Sequence, residues 1–300
     1  MRASTEDGGL RRSAALGVRF AILTAFTLFF LVPVVWLILA PTKSDRALTT
    51  SSPLAFGSLH QVATAWRHLD AFSDHIYRTW IGNSLLYAFG ATAIVVATAI
   101  PAGYGLALGS FPGRRLLLTL TLVVMIMPAA ALVLPIFLEL NSLHLIGSVF
   151  SVILPFAFYP FGVYLAYIYY ATAIPRELLD AARTDGCGEW QTFRRVALPL
   201  AKPVVALVFF FSFVADWNNF FLPYAVLADS SQYPIQVGLS DLLSSTPSFN
   251  PAVGGGGQQV NIFRPELALA TLLAVVPVAV VFLLSQRALV RGLVGGAVKE

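Results

Sequence analysis

The residue types that usually carry catalysis are sparse in this sequence and are not spaced for it. The four histidines lie far apart and form no His-x-x-x-His pair, and Cys187 is the single cysteine, which excludes an internal disulfide and a cysteine-based metal site. No lysine follows a glycine, so the chain lacks the phosphate-binding pattern G-x-x-x-x-G-K-[ST], and it also lacks G-x-S-x-G and H-E-x-x-H. We therefore expect no catalytic residue, no metal site and no cofactor, and any nucleotide chemistry would have to occur on a partner.

One stretch, from Glu177 to Pro203, combines charge, a tight turn and helical periodicity. Asp185 and Gly186 form a strong turn signal, because glycine accepts a positive φ angle. The sequence predicts a short helix before this turn and a second one over Gly188–Ala197. Pro199 and Pro203 are predicted to end the second helix and begin the next apolar run. Two short helices with these residue types suit binding to another molecule rather than catalysis.

The predicted faces of these two helices bear on what they would bind. In the first helix, small and apolar residues should share one face, namely Leu178, Ala181 and Ala182. Opposite charges at spacings of three and four residues should share another face, namely Arg176, Asp180 and Arg183. In the second helix, one side should hold Trp190, Phe193 and Ala197. These residues leave two interpretations open, a docking element for a protein partner and an amphipathic loop that rests on the bilayer surface.

The composition indicates which elements position this stretch. The chain is 57% hydrophobic and only 11% charged, with a mean hydropathy of +0.77, whereas about a quarter of the residues in a soluble domain are charged. This predicts an all-α integral membrane protein with one compact membrane domain.

The apolar runs predict six transmembrane helices. They cover about residues 19–40, 83–109, 116–138, 149–171, 203–227 and 267–286. The first run is longer than the ~7–15 apolar residues of a signal peptide and has no A-x-A cleavage pattern, so we expect it to be retained. Gly105 and Gly109 have the spacing of a helix-packing pair, and prolines in several spans predict kinks.

The segments between the spans give the predicted domain organisation. It comprises an N-terminal segment (1–18), an outer loop (41–81), a core transmembrane domain (82–286) containing the charged loop (174–203) and a second outer loop (228–264), and a C-terminal tail (287–300). Fourteen of the 19 lysines and arginines fall in the segments on the side of the N-terminus. The positive-inside rule therefore predicts that both termini and the charged loop are cytoplasmic.

The charged loop resembles the EAA loop of permeases from binding-protein-dependent ABC importers. Asp180, Ala181 and Ala182 occupy the E-A-A positions of that pattern. The D-G and L-P positions of the pattern are occupied by Asp185, Gly186, Leu198 and Pro199. Aspartate replaces glutamate at the first position, and Cys187 stands where alanine is usual; neither departure breaks the pattern.

The resemblance continues over roughly residues 19–300. Asn83-Ser84-Leu85, the turn Pro112–Arg115, the Trp217-Asn218 pair and the Gly292–Lys299 tail are similar to motifs of carbohydrate permeases. The group that it resembles is the second permease subunit of maltose- and glycerol-phosphate-type sugar importers.

The resemblance implies a type I importer permease in the cytoplasmic (inner) membrane of a prokaryote, coupled by alternating access to ATP hydrolysis on a separate subunit. The implied partners are a homologous permease, two ATP-binding subunits, an extracytoplasmic solute-binding protein and the lipid bilayer, with no nucleic acid. The residues implied to couple to the ATPase are Glu177, Asp180, Ala181, Ala182, Asp185, Gly186, Phe193, Leu198 and Pro199. In the tail, Gln286, Arg287, Gly296 and Lys299 are implied to contact the ATPase.

Asp216 lies inside the fifth predicted span, where a carboxylate costs about 2.5–3.5 kcal/mol on insertion scales. One interpretation places Asp216, Trp217, Asn218 and Asn219 along the translocation path, where they would contact sugar hydroxyls and a ring face. The alternative is that Asp216 pairs with a polar group of the other permease for packing alone.

The transported solute stays open between a sugar and another polar solute such as glycerol phosphate, an amino sugar or a peptide. A self-contained secondary transporter would require an internal repeat and buried charge pairs, and we find no convincing repeat. A membrane-embedded enzyme would require converging nucleophiles or metal ligands within the spans, and none stands out.

Overall fold

In the computed structural model, residues 3–250 and 262–294 are described, with side chains described for 16–250 and 262–289. The regular structure of this part of the chain consists of α-helices and shorter helical turns, and it includes no strand. The α-helices in chain order are α1 (Ala3–Leu39), α2 (Asp45–Thr50), α3 (Leu59–Ala71), α4 (Ile76–Leu108), α5 (Arg114–Ile126), α6 (Ala129–Ser142), α7 (Phe150–Phe156), α8 (Pro160–Thr172), α9 (Arg176–Thr184), α10 (Glu189–Thr192), α11 (Leu198–Leu200), α12 (Lys202–Trp217), α13 (Phe221–Val226), α14 (Ile235–Ser244) and α15 (Arg264–Val294).

Several of these helices are long and apolar enough to cross a membrane. Four segments qualify alone, namely Leu16–Thr42, Ile76–Leu108, Phe150–Thr172 and Arg264–Leu289. Two bent pairs, α5 with α6 and Glu189–Leu200 with α12, bring the number to as many as six if each pair is one span. The predicted all-α membrane class is confirmed, with four to six candidate spans among the described residues.

The chain divides into two compact units, one formed by Met1–Phe72 with Leu242–Leu272 and the other by Ser73–Asp241 with Leu273–Glu300. In the first unit, polar contacts fix the segment that follows α1. The Gly57 N–H donates to Thr42 Oγ1 at 2.9 Å, and the buried Lys43 ammonium donates to two backbone carbonyls beyond α2 at 2.6 and 3.0 Å. His68 Nδ1 lies 3.0 Å from the Glu266 carboxylate. The predicted outer loop 41–81 is thus ordered by hydrogen bonds and short helices.

The core of the second unit joins α4, α8 and α12 to the chain between α8 and α12. Gly103 lies at a close approach between α4 and α8, because a Cβ there would overlap the Ala166 side chain and lie 2.7 Å from the Tyr167 nitrogen. The predicted packing role of Gly105 and Gly109 is therefore wrong within the described chain. A Cβ on Gly105 would meet nothing within 4 Å, and one on Gly109 would meet its own helix at Gly105 O. The close contact between α4 and α8 therefore depends on Gly103, which is not part of the GxxxG pair.

Three breaks interrupt the predicted spans of the second unit. The third span is bent by 107° between α5 and α6, where Met127 has the extended conformation (φ −69°, ψ 127°) that a following proline favours. The fourth is interrupted between α7 and α8, just before Pro160, and the fifth ends as a regular helix at Trp217 and resumes at Phe221. Two of these breaks thus lie beside prolines, Pro128 and Pro160, whereas Pro101 lies within an unbroken helix.

The loop after α13 is fixed to the start of α4. Trp80 Nε1 donates to Ser230 O at 2.8 Å, and the Asn83 amide donates to Ser231 O at 2.8 Å. Ser84 Oγ accepts from the Ile235 N–H at 2.7 Å. The Asn83-Ser84 motif therefore anchors part of the predicted outer loop 228–264; the Gly254–Gly257 run of that loop lies outside the described residues.

Candidate functional site

Residues 176–200, which we term the helix–turn–helix element, form two short helical segments joined by a sharp turn. Gly186 has φ +85° and ends α9 in a Schellman motif. Its N–H donates to Arg183 O at 3.0 Å, and the Cys187 N–H donates to Ala182 O at 3.0 Å. The predicted Asp185-Gly186 turn therefore closes the first helix by satisfying its last carbonyls.

The element buries Leu179 and Ala182. Leu179 belongs to the core formed with α4, α8 and α12, whereas Leu178 is 46% exposed and Ala181 is exposed. The predicted shared face of Leu178, Ala181 and Ala182 is therefore divided, with its first two residues exposed and Ala182 buried. The exposed surface of the element also carries charged side chains and Trp190.

The second helical segment is anchored by Phe193 and Ala197, which are 5% and 0% exposed. Trp190 was predicted on the same side and contacts Phe193, at a ring-centroid distance of 5.4 Å, but its side chain is 66% exposed. Phe193–Ala197 forms a π-helical turn, a feature often found at functional sites.

This segment ends between Pro199 and Pro203, as predicted, although not at Pro199 itself. Helical structure continues through α11 to Leu200, and Pro199 takes one of the first positions of that turn, where a missing N–H is tolerated. The chain then bends by 76° at Ala201 into α12. Pro199 is exposed and Leu198 is partly buried, so this corner borders the outward surface of the element.

Arg183 ties the two halves of the element together across the turn. Its guanidinium donates to Asp180 at 2.8 Å and to both carboxylate oxygens of Glu189, at 2.9 and 3.2 Å. The hydrogen bond to Glu189 raises the pKa of the Arg183 guanidinium above its ordinary value. The Tyr104 hydroxyl on α4 donates to Glu189 at 3.4 Å. Sequence reasoning missed Glu189, although its charge six residues after Arg183 across a turn was the available signal.

Asp216 sits near the end of α12 with a buried carboxylate. Its Oδ2 accepts hydrogen bonds from Thr92 Oγ1 and Ser212 Oγ, both at 3.2 Å. Asp216 and Asn219 line a cavity of about 460 Å³ in the second unit.

Trp217 and Asn218, predicted along the same path, do not line this cavity. Trp217 is 2% exposed, and its Nε1 donates to Ala274 O on α15 at 3.1 Å. The Asn218 amide donates to Val214 O of its own helix. Of the four predicted path residues, Asp216 and Asn219 thus line the cavity, Trp217 is buried against α15, and Asn218 is exposed.

The family model described as "Binding-protein-dependent transport system inner membrane component" matches residues 99–295, which include the helix–turn–helix element and Asp216. The chain belongs to this family. It is therefore a permease component of an ABC importer in the bacterial inner membrane, and the component itself is not catalytic.

Curated permeases support this family membership, and a solved structure shows the fold. The arabinooligosaccharides transport system permease protein AraQ of Bacillus subtilis is 32% identical over 97% of this chain and 99% of its own length. The diacetylchitobiose uptake system permease protein NgcG of Streptomyces coelicolor is 28% identical over 92% and 86%. A bacterial ABC transporter involved in import of the acidic polysaccharide alginate has the same fold, with a TM-score of 0.73 at 22% identity over 96% and 98% of the chains.

The tail of this permease is described only in part. Gln286 and Arg287 are exposed near the end of α15, and the Gln286 amide donates to Leu283 O at 2.9 Å. Gly296 and Lys299 lie outside the described residues.

Proposed function

We propose that this permease imports a sugar or a related polar solute and is driven by ATP hydrolysis on separate subunits. The relatives named above for arabinooligosaccharides and diacetylchitobiose support a carbohydrate. The observation that carries the coupling is the helix–turn–helix element, which exposes charged residues, Ala181, Leu178 and Trp190 and has a base buried among α4, α8 and α12.

In this proposal the element docks into the ATP-binding subunits. Its exposed residues would form the contact, namely Glu177, Asp180, Ala181, Asp185, Gly186 and Pro199. Ala182, Phe193 and Leu198 would hold the element to the spans, since they are buried or partly buried. Closure of the ATP-binding subunits would then move the element and the spans fixed to it.

The assembly would contain this chain, a homologous permease, two ATP-binding subunits and an extracytoplasmic solute-binding protein. Both termini and the element would face the cytoplasm, as the distribution of basic residues predicts. The loop 228–264 would face the binding protein, and the tail from Gln286 onward would extend toward the ATP-binding subunits.

The test replaces Gly186 by proline in the complete complex. Proline locks φ near −65° and has no N–H, so it cannot adopt φ +85° or donate to Arg183 O. We expect the ATPase activity stimulated by the binding protein to fall to the basal rate. Gly188→Ala is the matched control, because Gly188 has φ −67° and a Cβ there meets nothing within 4 Å. Full stimulation in the proline variant would refute the proposed coupling role.

A further inference from the structure

A second cavity lies where α4 ends and the chain turns into α5. It has a volume of about 620 Å³, and its wall comprises part of this turn, Leu118 of α5 and Tyr167 of α8. Leu108, the last residue of α4, lines a smaller pocket together with Arg176 and Leu179. The cavity therefore lies at the same end of the spans as the helix–turn–helix element, although its described wall contains no residue of that element.

The charge of this wall is positive. Arg114 and Arg115 line the cavity, and the described residues of the wall include no aspartate or glutamate. Neither arginine has a carboxylate partner within the described part of the chain. Helix α5 also starts here with no acidic residue in its first turn and no side-chain cap, so its dipole adds to the positive potential. An anion in the cavity would supply the missing counter-charge.

The wall also offers hydrogen-bond donors to such an anion. The Arg114 guanidinium donates to three carbonyls around the C-terminal end of α4, at 2.6, 3.1 and 3.4 Å, which holds it rigidly in place. A guanidinium has five N–H groups, so two of them stay available to a ligand. The exposed Arg115 guanidinium and the Tyr167 hydroxyl make no hydrogen bond to any described residue. Arginine donors match the oxygens of a phosphate group in geometry as well as in charge.

Apolar side chains continue from the cavity along α5, which is half of a candidate membrane span. Leu116, Leu117 and Leu120 are 62%, 48% and 49% exposed, and Phe111 in the cavity wall is 41% exposed. A soluble anion or an acidic protein surface would gain nothing from these leucines, whereas the acyl chains of a phospholipid would cover them. Basic pockets at the cytoplasmic ends of transmembrane helices attract anionic headgroups, and the distribution of basic residues predicts that this end is cytoplasmic.

We propose that this cavity binds the phosphate of an anionic phospholipid from the cytoplasmic leaflet, with Arg114, Arg115 and Tyr167 as donors and the acyl chains along α5. The inference goes beyond the proposed function, because it assigns a lipid partner to this permease and holds for any transported solute. A bound lipid links the α4–α5 turn to α8 beside the close approach of Gly103 and Ala166. It therefore stabilises the end of the spans from which the helix–turn–helix element projects.

The first experiment counts the lipids bound to the complete transporter in detergent by native mass spectrometry. Dioleoyl phosphatidylglycerol is the probe, and dioleoyl phosphatidylcholine, which has the same acyl chains but no net charge, is the reference. We expect the wild type to retain phosphatidylglycerol in preference to phosphatidylcholine. Arg115→Gln should weaken the binding of one phosphatidylglycerol molecule about tenfold, since hydrogen bonds to charged groups typically change binding by this factor. Arg115→Lys, which keeps the charge, should lose less.

Arg19→Gln is the matched control, because Arg19 is an exposed arginine near the start of the first candidate span and does not line the cavity. It should bind phosphatidylglycerol as the wild type does. Equal losses in Arg115→Gln and Arg19→Gln would reduce the effect to a general attraction between basic residues and anionic lipid, and would overturn the site. Unchanged phosphatidylglycerol binding in Arg115→Gln would overturn it as well.

The second experiment distinguishes a lipid headgroup from free phosphate at the cavity itself. Cys187→Ala removes the native thiol, and Ser110→Cys places a new one in the cavity wall of the complete transporter. Labelling of this chain by an uncharged, water-soluble maleimide should be severalfold slower in vesicles of phosphatidylcholine and phosphatidylglycerol in equal amounts than in vesicles of phosphatidylcholine alone. Ser142→Cys, outside the cavity, should be labelled equally in both. Slowing by millimolar inorganic phosphate in phosphatidylcholine vesicles would assign the cavity to a soluble anion, and equal labelling of Ser110→Cys in both vesicles would leave it without a lipid; either result refutes the proposal.

Discussion

The contact between α4 and α8 gives a sharp test of how this fold is packed, through the substitution Gly103→Ala. Ala166 and Tyr170 of α8 are fully buried at this interface, in the same core that receives the helix–turn–helix element. A methyl group on Gly103 would overlap the Ala166 Cβ and approach the Tyr167 nitrogen to 2.7 Å. Gly105, two residues away on the same helix, has nothing within 4 Å of an added Cβ. A comparison of Gly103→Ala with Gly105→Ala therefore separates the effect of steric packing from the effect of helix propensity.

The magnitude follows from these distances. Carbon atoms in contact prefer about 3.5–4.0 Å, so α4 and α8 must separate locally by about 1 Å to admit the methyl group. Overpacking of this kind costs about 1–3 kcal/mol, and replacing a mid-helix glycine by alanine returns about 0.5–1 kcal/mol. We expect Gly103→Ala to be destabilising by about 0.5–2 kcal/mol on balance. Gly105→Ala should be neutral or stabilising by up to about 1 kcal/mol.

The assay is thermal unfolding of the purified complex in detergent, with loss of the monodisperse peak on size exclusion as the readout. A change of 1 kcal/mol corresponds to about 2–4 °C for a domain of this size class. Gly103→Ala should lower the unfolding temperature and Gly105→Ala should not. If both variants shift it in the same direction, or if Gly103→Ala raises it, the assignment of the close approach to Gly103 is refuted.

Two further expectations concern polar contacts. Arg183 and Glu189 are 38% and 68% exposed as side chains, so a double-alanine cycle should give a coupling energy below about 1 kcal/mol in unfolding experiments; a larger value would contradict the solvent-exposed geometry. Both single variants should nevertheless lower stimulated ATPase activity, because the pair fixes α9 against α10. Trp217→Phe removes the buried donor to Ala274 O and should lower the unfolding temperature by the equivalent of about 1–3 kcal/mol, with the solute transported per ATP unchanged; a change in that ratio would place Trp217 at the solute.

The sequence predicted the class of fold well because membrane spans depend mainly on local composition. Runs of apolar residues locate a helix whatever it packs against. The consequences of each proline were less predictable. Pro128 and Pro160 lie at breaks, whereas Pro101 lies within a continuous helix of 33 residues. Whether a proline breaks a helix depends on what satisfies the freed carbonyl and on where the chain must turn next, and both are tertiary properties.

The candidate sites were also predictable only where the structure depends on local sequence. The Asp185-Gly186 turn was predictable because a positive φ angle has a local residue preference. The buried face of α9 was not, since a nine-residue helix can rotate by one residue at little intrinsic cost and packing of Leu179 decides its orientation. Periodicity also could not separate Asp216 from Trp217. Adjacent residues on one helix point in different directions, and only the neighbouring helices determine which one meets the cavity.

Helix α12 connects the two sites physically. It starts at the bend after Ala201, in the core that contains Leu179 and Phe193 of the helix–turn–helix element, and Asp216 lies at its other end. Its 16 residues span about 24 Å of continuous helix. If the element moved while α12 stayed in place, Leu179 and Phe193 would lose their burial, at about 1.5–3 kcal/mol each. Joint movement of the element with α4, α8 and α12 avoids this cost, so force applied at the Gly186 turn should reach the cavity that Asp216 lines.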